Sequence, residues 1–269
     1  MKKHVKRYLS LALTFALVFA IPFAFTQEAS AASKKSGKVT VYKVTSEATT
    51  TNYSDGTKAT SSSKYTYNKK GFMTKNIYSS SDGYYFKDVY KYNGKGYMTS
   101  SKTYNKKGKL TNLTKVTMKK GKPSVRKYYT VKGKKKKLTY QEKLIYKGKK
   151  LVKIEWKDLI EKTKGSYSMT DNGSAPANTG NTKYDEHGNI VEEINTDTDT
   201  YDGVTYTYTY KTVNKYTYDS AGNILKKEST ETTTTVASDG SKMDPSVTTS
   251  VSTYKYKKMK IAKKYLTLG

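Results

Sequence analysis

Cysteine is missing from all 269 residues, which excludes disulfides, thiolate metal sites and a lipid anchor carried on cysteine. Histidine is nearly missing. His4 and His187 are the only two, so any Ser-His-Asp arrangement would rest on His187, which reads more simply as an exposed turn residue. Arginine is scarce as well. Arg7 and Arg126 stand against a total of 51 basic residues, and a lysine-based surface lacks the forked guanidinium that reads base edges, which argues against sequence-specific nucleic-acid recognition. Long apolar runs are absent after residue 25, and no stretch shows a sustained 3.6-residue period.

The first 31 residues carry their own signal. Lys2, Lys3, Lys6 and Arg7 precede an apolar stretch from Leu9 to Phe25, and Ala29-Ser30-Ala31 supplies a small-x-small cleavage pattern. Residues 1–31 are therefore expected to be a secretory signal peptide, with a soluble mature chain from Ala32. The end Tyr265-Leu266-Thr267-Leu268-Gly269 offers no apolar tail. The expected location is secreted, extracellular or held on the cell envelope.

What the chain has in abundance is tyrosine, glycine corners and lysine. There are 27 Tyr against six Phe and one Trp. Tyrosines and threonines alternate with period two, as in Thr205 to Tyr210, which predicts strands with one Tyr face and one Thr/Lys face. Glycine corners recur about every 12 to 15 residues. Asn68-Lys69-Lys70-Gly71, Asn93-Gly94-Lys95-Gly96, Asn105-Lys106-Lys107-Gly108, Asp185-Glu186-His187-Gly188 and Asp219-Ser220-Ala221-Gly222 each follow a tyrosine directly. The turn motif therefore comprises Tyr67, Asn68 and Gly71; Tyr92, Asn93 and Gly96; Tyr184, Asp185 and Gly188; and Tyr218, Asp219 and Gly222. A second kind, Asp-Gly, falls at Asp55-Gly56, Asp82-Gly83, Asp202-Gly203 and Asp239-Gly240. In an up-and-down meander successive turns fall on opposite edges, so the two kinds should sort to opposite edges, with Gly108 out of step.

The expected fold is all-β: an up-and-down antiparallel β-hairpin meander of about 14 strands, coiled or barrel-like, because so wide a sheet rarely stays flat. The expected organisation is N-terminal hairpin repeats with a basic middle over 32–164, a loop over 165–182 rich in Ser, Asn and Gly, and C-terminal repeats over 183–269. Asp158 to Lys164 could hold at most one helical turn.

Tyr216-Thr217-Tyr218-Asp219-Ser220-Ala221-Gly222-Asn223-Ile224 resembles a YD repeat of the Rhs type. Tyr184 to Ile190, Tyr65 to Met73 and Tyr90 to Met98 are similar, the last two with Asn for Asp. The resemblance implies β-hairpin repeats in secreted or surface-attached bacterial proteins, with carbohydrate binding proposed for some. Asn or Lys stands where that family has arginine after the glycine, and no toxin-like domain is expected after the repeats.

Charge gives the functional signal. The formal net charge is +29, and residues 101–164 hold 23 basic and four acidic residues, whereas residues 165–253 hold six and 13. So much like charge repels itself, and an anionic partner would relieve it. Lys119, Lys120, Lys134, Lys135, Lys136, Lys137, Lys147, Lys149 and Lys150 are the candidate polyanion-binding residues, with the lysines of 255–264 beside them. The expected partner is an anionic cell-envelope polymer or an anionic lipid surface, with non-specific extracellular DNA open by the same electrostatics. Asp197, Asp199 and Asp202 form part of a calcium-loop pattern but lack its bidentate Glu, so neither metal nor cofactor is expected. The chain reads as a non-enzymatic, envelope-associated β-repeat protein. Behind that reading stand a self-assembling matrix protein, a carbohydrate-binding module and a secreted hydrolase. The oligomeric state is not legible.

Overall fold

A computed structural model of the chain describes residues 37–148, 150–169 and 181–268. The signal segment 1–31 lies outside the described residues. Fifteen strands follow in chain order: β1 Lys38–Asn52, β2 Lys58–Tyr67, β3 Met73–Ser80, β4 Tyr85–Tyr92, β5 Met98–Tyr104, β6 Leu110–Lys119, β7 Lys122–Lys132, β8 Lys135–Lys147, β9 Lys150–Asp158, β10 Lys164–Ser168, β11 Asn181–Tyr184, β12 Ile190–Tyr201, β13 Val204–Tyr218, β14 Ile224–Ala237 and β15 Lys242–Ala262. A single 3-10 turn, Lys263–Leu268, follows β15.

All fifteen strands form one antiparallel sheet in the order β10-β9-β8-β7-β6-β5-β4-β3-β2-β1-β15-β14-β13-β12-β11. The meander is therefore as expected, with one strand more than the estimate. The two repeat arrays are joined in the sheet by β1 and β15, paired from Lys38↔Ala262 to Asn52↔Thr249. The expected loop is also shorter at both ends, because Gly165 to Ser168 pair with β9 and Asn181 and Thr182 pair with β12. Residues 159–163 hold no helical turn. Asp158 Oδ1 accepts the amides of Ile160 and Glu161, at 2.8 and 3.0 Å, and Asp158 N–H closes the loop onto the Thr163 carbonyl. That carboxylate satisfies the backbone locally and leaves no helix to propagate.

The turn kinds sort as the sequence predicts. One rim carries the Tyr-Asn/Asp motif turns ending in Gly71, Gly96, Gly188 and Gly222; the other carries the four Asp-Gly turns and the Gly108 turn. Each motif turn has one construction. Asn68 Oδ1 accepts the amides of Lys70 and Phe72, at 2.9 and 3.1 Å, while Gly71 N–H returns to the Asn68 carbonyl. Asn93, Asn105, Asp185 and Asp219 repeat the pattern. Gly71 closes its turn at φ 83°, a left-handed conformation that costs glycine little. A Cβ there would also stand 3.2 Å from the Ile261 side chain.

The sheet is open. An odd number of strands leaves β10 and β11 running in the same direction, so the hairpin pattern that joins the other sequence neighbours cannot join these two. It is also curled. A flat sheet of 15 strands would be about 67 Å wide at roughly 4.8 Å per strand, yet the 13 residue steps from Ser168 to Asn181 reach at most about 45 Å.

A single layer has little dry core. Val41, Val44, Phe72, Leu113, Leu144, Ile154, Ala237 and Ile261 are the buried apolar residues among those described. Tyrosine hydroxyls supply what burial does not. Tyr67 donates to the Val44 carbonyl at 2.8 Å, Tyr92 to Met73 at 2.7 Å, Tyr216 to Ile190 at 3.0 Å and Tyr256 to Ile224 at 2.8 Å. In the last three the acceptor lies two residues after the glycine of a motif turn, so the repeats ending in Gly71, Gly188 and Gly222 are each clasped by a tyrosine of a later strand. Burial raises the phenols of Tyr92 and Tyr256 to about 12. A phenol raised in the folded state favours the neutral form there, so its contribution is intact below pH 10 and is lost as the pH climbs toward 12. Urea unfolding midpoints are expected to fall across that window. Tyr92→Phe should cost about 1 kcal/mol at neutral pH, with the loss absent at pH 12.

Candidate functional site

The cross-strand registers divide the side chains of β1–β10 into two faces with different chemistry. The residues Lys91, Ser100, Lys115, Lys127, Gln141, Lys157 and Lys164 are successive partners across β4 to β10 and form one row. Parallel to it run Lys75, Val89, Lys102 and Leu113, and Lys64, Ile77 and Lys87. On this lysine face of β2–β10, Glu155 is the one strand carboxylate among the described residues, and Lys143 and Lys153 hold it at 3.2 and 3.4 Å. Lys91, Lys115, Lys157 and Lys164 are exposed.

The opposite face collects the acids and the rings. Glu47 pairs with Ser63, Asn76 with Asp88, and Tyr128 with Tyr140. The buried polar residues Ser63, Glu142, Asn214, Thr235 and Ser252 all belong to it. In a one-layer sheet such polar side chains are covered where taller neighbours lean over them, so this tyrosine face is crowded. Three of its carboxylates are met by phenols: Glu47 by Tyr65 at 3.2 Å, Asp88 by Tyr90 at 3.3 Å and Glu142 by Tyr128 at 3.0 Å. Thr103 adds a 2.6 Å bond to Asp88. Burial pushes the Asp88 carboxyl up against those bonds, and burial likewise raises the Tyr65 phenol to about 12. Glu142 is 5% exposed and also bonds Arg126 at 3.3 Å. Next to it Tyr140 stacks on Trp156, with centroids 6.2 Å apart, and the indole lies so close over Gly165 that a Cβ there would stand 2.6 Å from it.

The sequence-predicted lysines do not converge. Lys119, Lys120, Lys147 and Lys150 lie on the motif rim, whereas Lys134, Lys135, Lys136 and Lys137 lie on the other, about 36 Å away along β7. Lys149 lies outside the described residues. On the motif rim Lys122 reaches across to the Gly148 carbonyl at 2.6 Å and sits 5.1 Å over the Tyr146 ring. On the other rim Lys132 and Lys135 to Lys137 line a shallow depression with Thr130. The larger continuous basic surface is the strand face, which turn-based reading missed. Its signal was present as same-face lysines four residues apart, Lys87 and Lys91 in β4 and Lys153 and Lys157 in β9, but it needed the register to line them up.

The remaining candidates are placed as follows. Asp197 and Asp199 face the tyrosines of β13, paired with Tyr208 and Tyr206, while Asp202 sits in its turn at φ 51°. No group of three His, Cys, Asp or Glu side chains able to hold a metal occurs among the described residues. His187 is not the exposed turn residue expected. Its ring packs on Tyr218 at 4.1 Å, and Tyr218 in turn bonds Asp185 and Asn189. Glu192 and Glu193 do fall on opposite faces, Glu192 bridged by Lys183 and Lys211 at 2.8 and 3.1 Å.

No family model matches the chain, and no curated protein does. Among solved structures, a porin-like protein from Bacteroides uniformis is similar at 12% identity and a TM-score of 0.33, covering 80% of this chain and 96% of that one. A TcdB2-TccC3-TEV structure follows at 9% identity and a TM-score of 0.21, covering 71% of this chain and 16% of that one. MucB in complex with MucA(peri) follows at 7% and 0.13, covering 79% and 88%.

Removing Arg126 would leave the buried Glu142 carboxylate without a counter-charge, with the Tyr128 hydroxyl as its remaining donor. Arg126→Ala should cost about 3–5 kcal/mol, and the double change Arg126→Met with Glu142→Leu should recover most of it. Urea midpoints of the two variants check this.

Proposed function

We propose that this is a non-enzymatic, exported β-repeat protein of the YD type that holds an anionic polymer of the cell envelope against its lysine face. One observation carries the reading: the row from Lys91 to Lys164 sets five lysines across seven neighbouring strands with no acid in the row. Strands about 4.8 Å apart place such charges along roughly 29 Å, which suits an extended polymer lying across the strands better than a compact ligand. Lysine is a compact, strongly hydrated point charge that binds phosphate without demanding a planar partner. The export signal and the YD-like turns support the setting, and the all-β repeat architecture supports the type. Glu47, Asp88 and Glu142 on the tyrosine face are engaged by phenols or Arg126, which favours a role for that face in holding the sheet together.

Binding to purified cell walls or to polyphosphate should weaken steeply with salt, because each phosphate contact releases counterions. The triple change Lys115→Gln, Lys127→Gln and Lys157→Gln should lower affinity and reduce the slope of log K against log salt by roughly one per contact removed. A salt-independent affinity, or one unchanged in the triple variant, rejects the reading.

A further inference from the structure

The two rims differ in a way the polymer reading leaves unused. Among the described residues eleven large apolar or aromatic side chains stand exposed, and eight of them lie at the Asp-Gly rim. Five hairpin tips follow one another there along the β1–β10 arm, each two strands, or about 9.6 Å, from the next. The first two tips present Tyr53 and Tyr84, which are 43% and 57% exposed, and the last presents Leu159 and Ile160 at 43% and 56%. Between them stand two lysine tips. One holds Lys106, Lys107 and Lys109, and the other runs from Lys132 to Lys137 with only Gly133 uncharged; neither contains an acid. The motif rim shows no such mixture, with exposed lysines but only Tyr184 and Leu225 among the exposed large side chains of its turns and strand ends.

We infer that the Asp-Gly rim of the β1–β10 arm docks on an anionic lipid bilayer. The inference goes beyond the polymer reading and uses a different surface. A polyanion in water gains nothing from a leucine and an isoleucine held out on a loop. A bilayer interface gains from both elements: aliphatic and tyrosine tips enter the headgroup boundary, and lysines beside them meet anionic headgroups. Stable attachment to a membrane needs two such signals together, and this rim sets them within neighbouring tips. Asp158 accepts the amides of Ile160 and Glu161, and Leu159 N–H donates to the Thr139 carbonyl, so the loop that carries the exposed pair has a fixed backbone. The charge pattern also orients the molecule. Toward β12–β15 the same rim carries Asp199, Asp202, Asp239 and Asp244 with Lys242 as its one lysine. That end would tilt away from a negative surface while the β5–β10 end goes down.

Co-sedimentation of the purified protein with vesicles tests the inference. Vesicles of phosphatidylcholine with about one third phosphatidylglycerol should capture the protein, and phosphatidylcholine alone should capture far less. Leu159→Ser with Ile160→Ser should lower capture at least about tenfold while leaving cell-wall and polyphosphate binding unchanged, and Lys134 to Lys137→Gln should separately lower capture at least about tenfold. The triple lysine-face variant should do the opposite. Capture unchanged in the rim variants, or abolished only in the lysine-face variant, overturns the rim assignment without touching the polymer reading. Ile160→Trp guards against a misfolded variant: its emission should shift to the blue with the anionic vesicles, and an unshifted spectrum overturns the inference.

Discussion

The tyrosine hydroxyl is what this sheet depends on. Among the described residues the fifteen strands form a single curled layer with no second layer to bury a face against, and its dry residues are few and dispersed. Phenylalanine at the same positions would supply ring area and leave carbonyls and carboxylates beneath the rings without donors. Tyrosine does both. Its ring covers a short neighbour and its hydroxyl ends on a carbonyl, as Tyr92 does at Met73, or on a carboxylate, as Tyr128 does at Glu142. This accounts physically for a composition in which tyrosine outnumbers phenylalanine 27 to six.

The same clasp explains why charge can be divided between the two faces. Acids sit on the crowded face because phenols and Arg126 are there to donate to them. Lysines sit on the other because a long flexible stem keeps its ammonium in water while covering the strand below. One face then serves cohesion while the other keeps its ammonium groups in water. The rims are a third surface, and their chemistry follows from turn type. Motif turns use Asn or Asp to satisfy amides and place lysines around them. The other rim lets apolar tips stand out.

Much of the architecture was legible in the residues. The glycine corners and the period-two tyrosines predicted the meander, and the alternation of turn kinds predicted which edge each would occupy. Local chemistry sufficed there, since Asn68 or Asp219 satisfies its turn from within five residues. The junction of β1 with β15 was not legible, because no local signal connects residues some 200 positions apart such as Thr49 and Ser252. The candidate site fell between these cases. Runs such as Lys134 to Lys137 draw the eye, yet they lie at one end of the sheet and their counterparts at the other. The row through Lys115, Lys127 and Lys157 exists only once three separate pairings fix the register. Its members are spread through 74 residues of sequence, from Lys91 to Lys164, without forming a run.

The parity of the strand set has a bearing on how such a protein can grow. A duplicated hairpin inserts two strands and so leaves an odd total odd. Whatever the number of copies gained or lost, the two outermost strands keep pointing the same way. Lengthening the array by whole repeats therefore widens the surface but never converts it into an antiparallel cylinder, and only the gain or loss of a lone strand would do so.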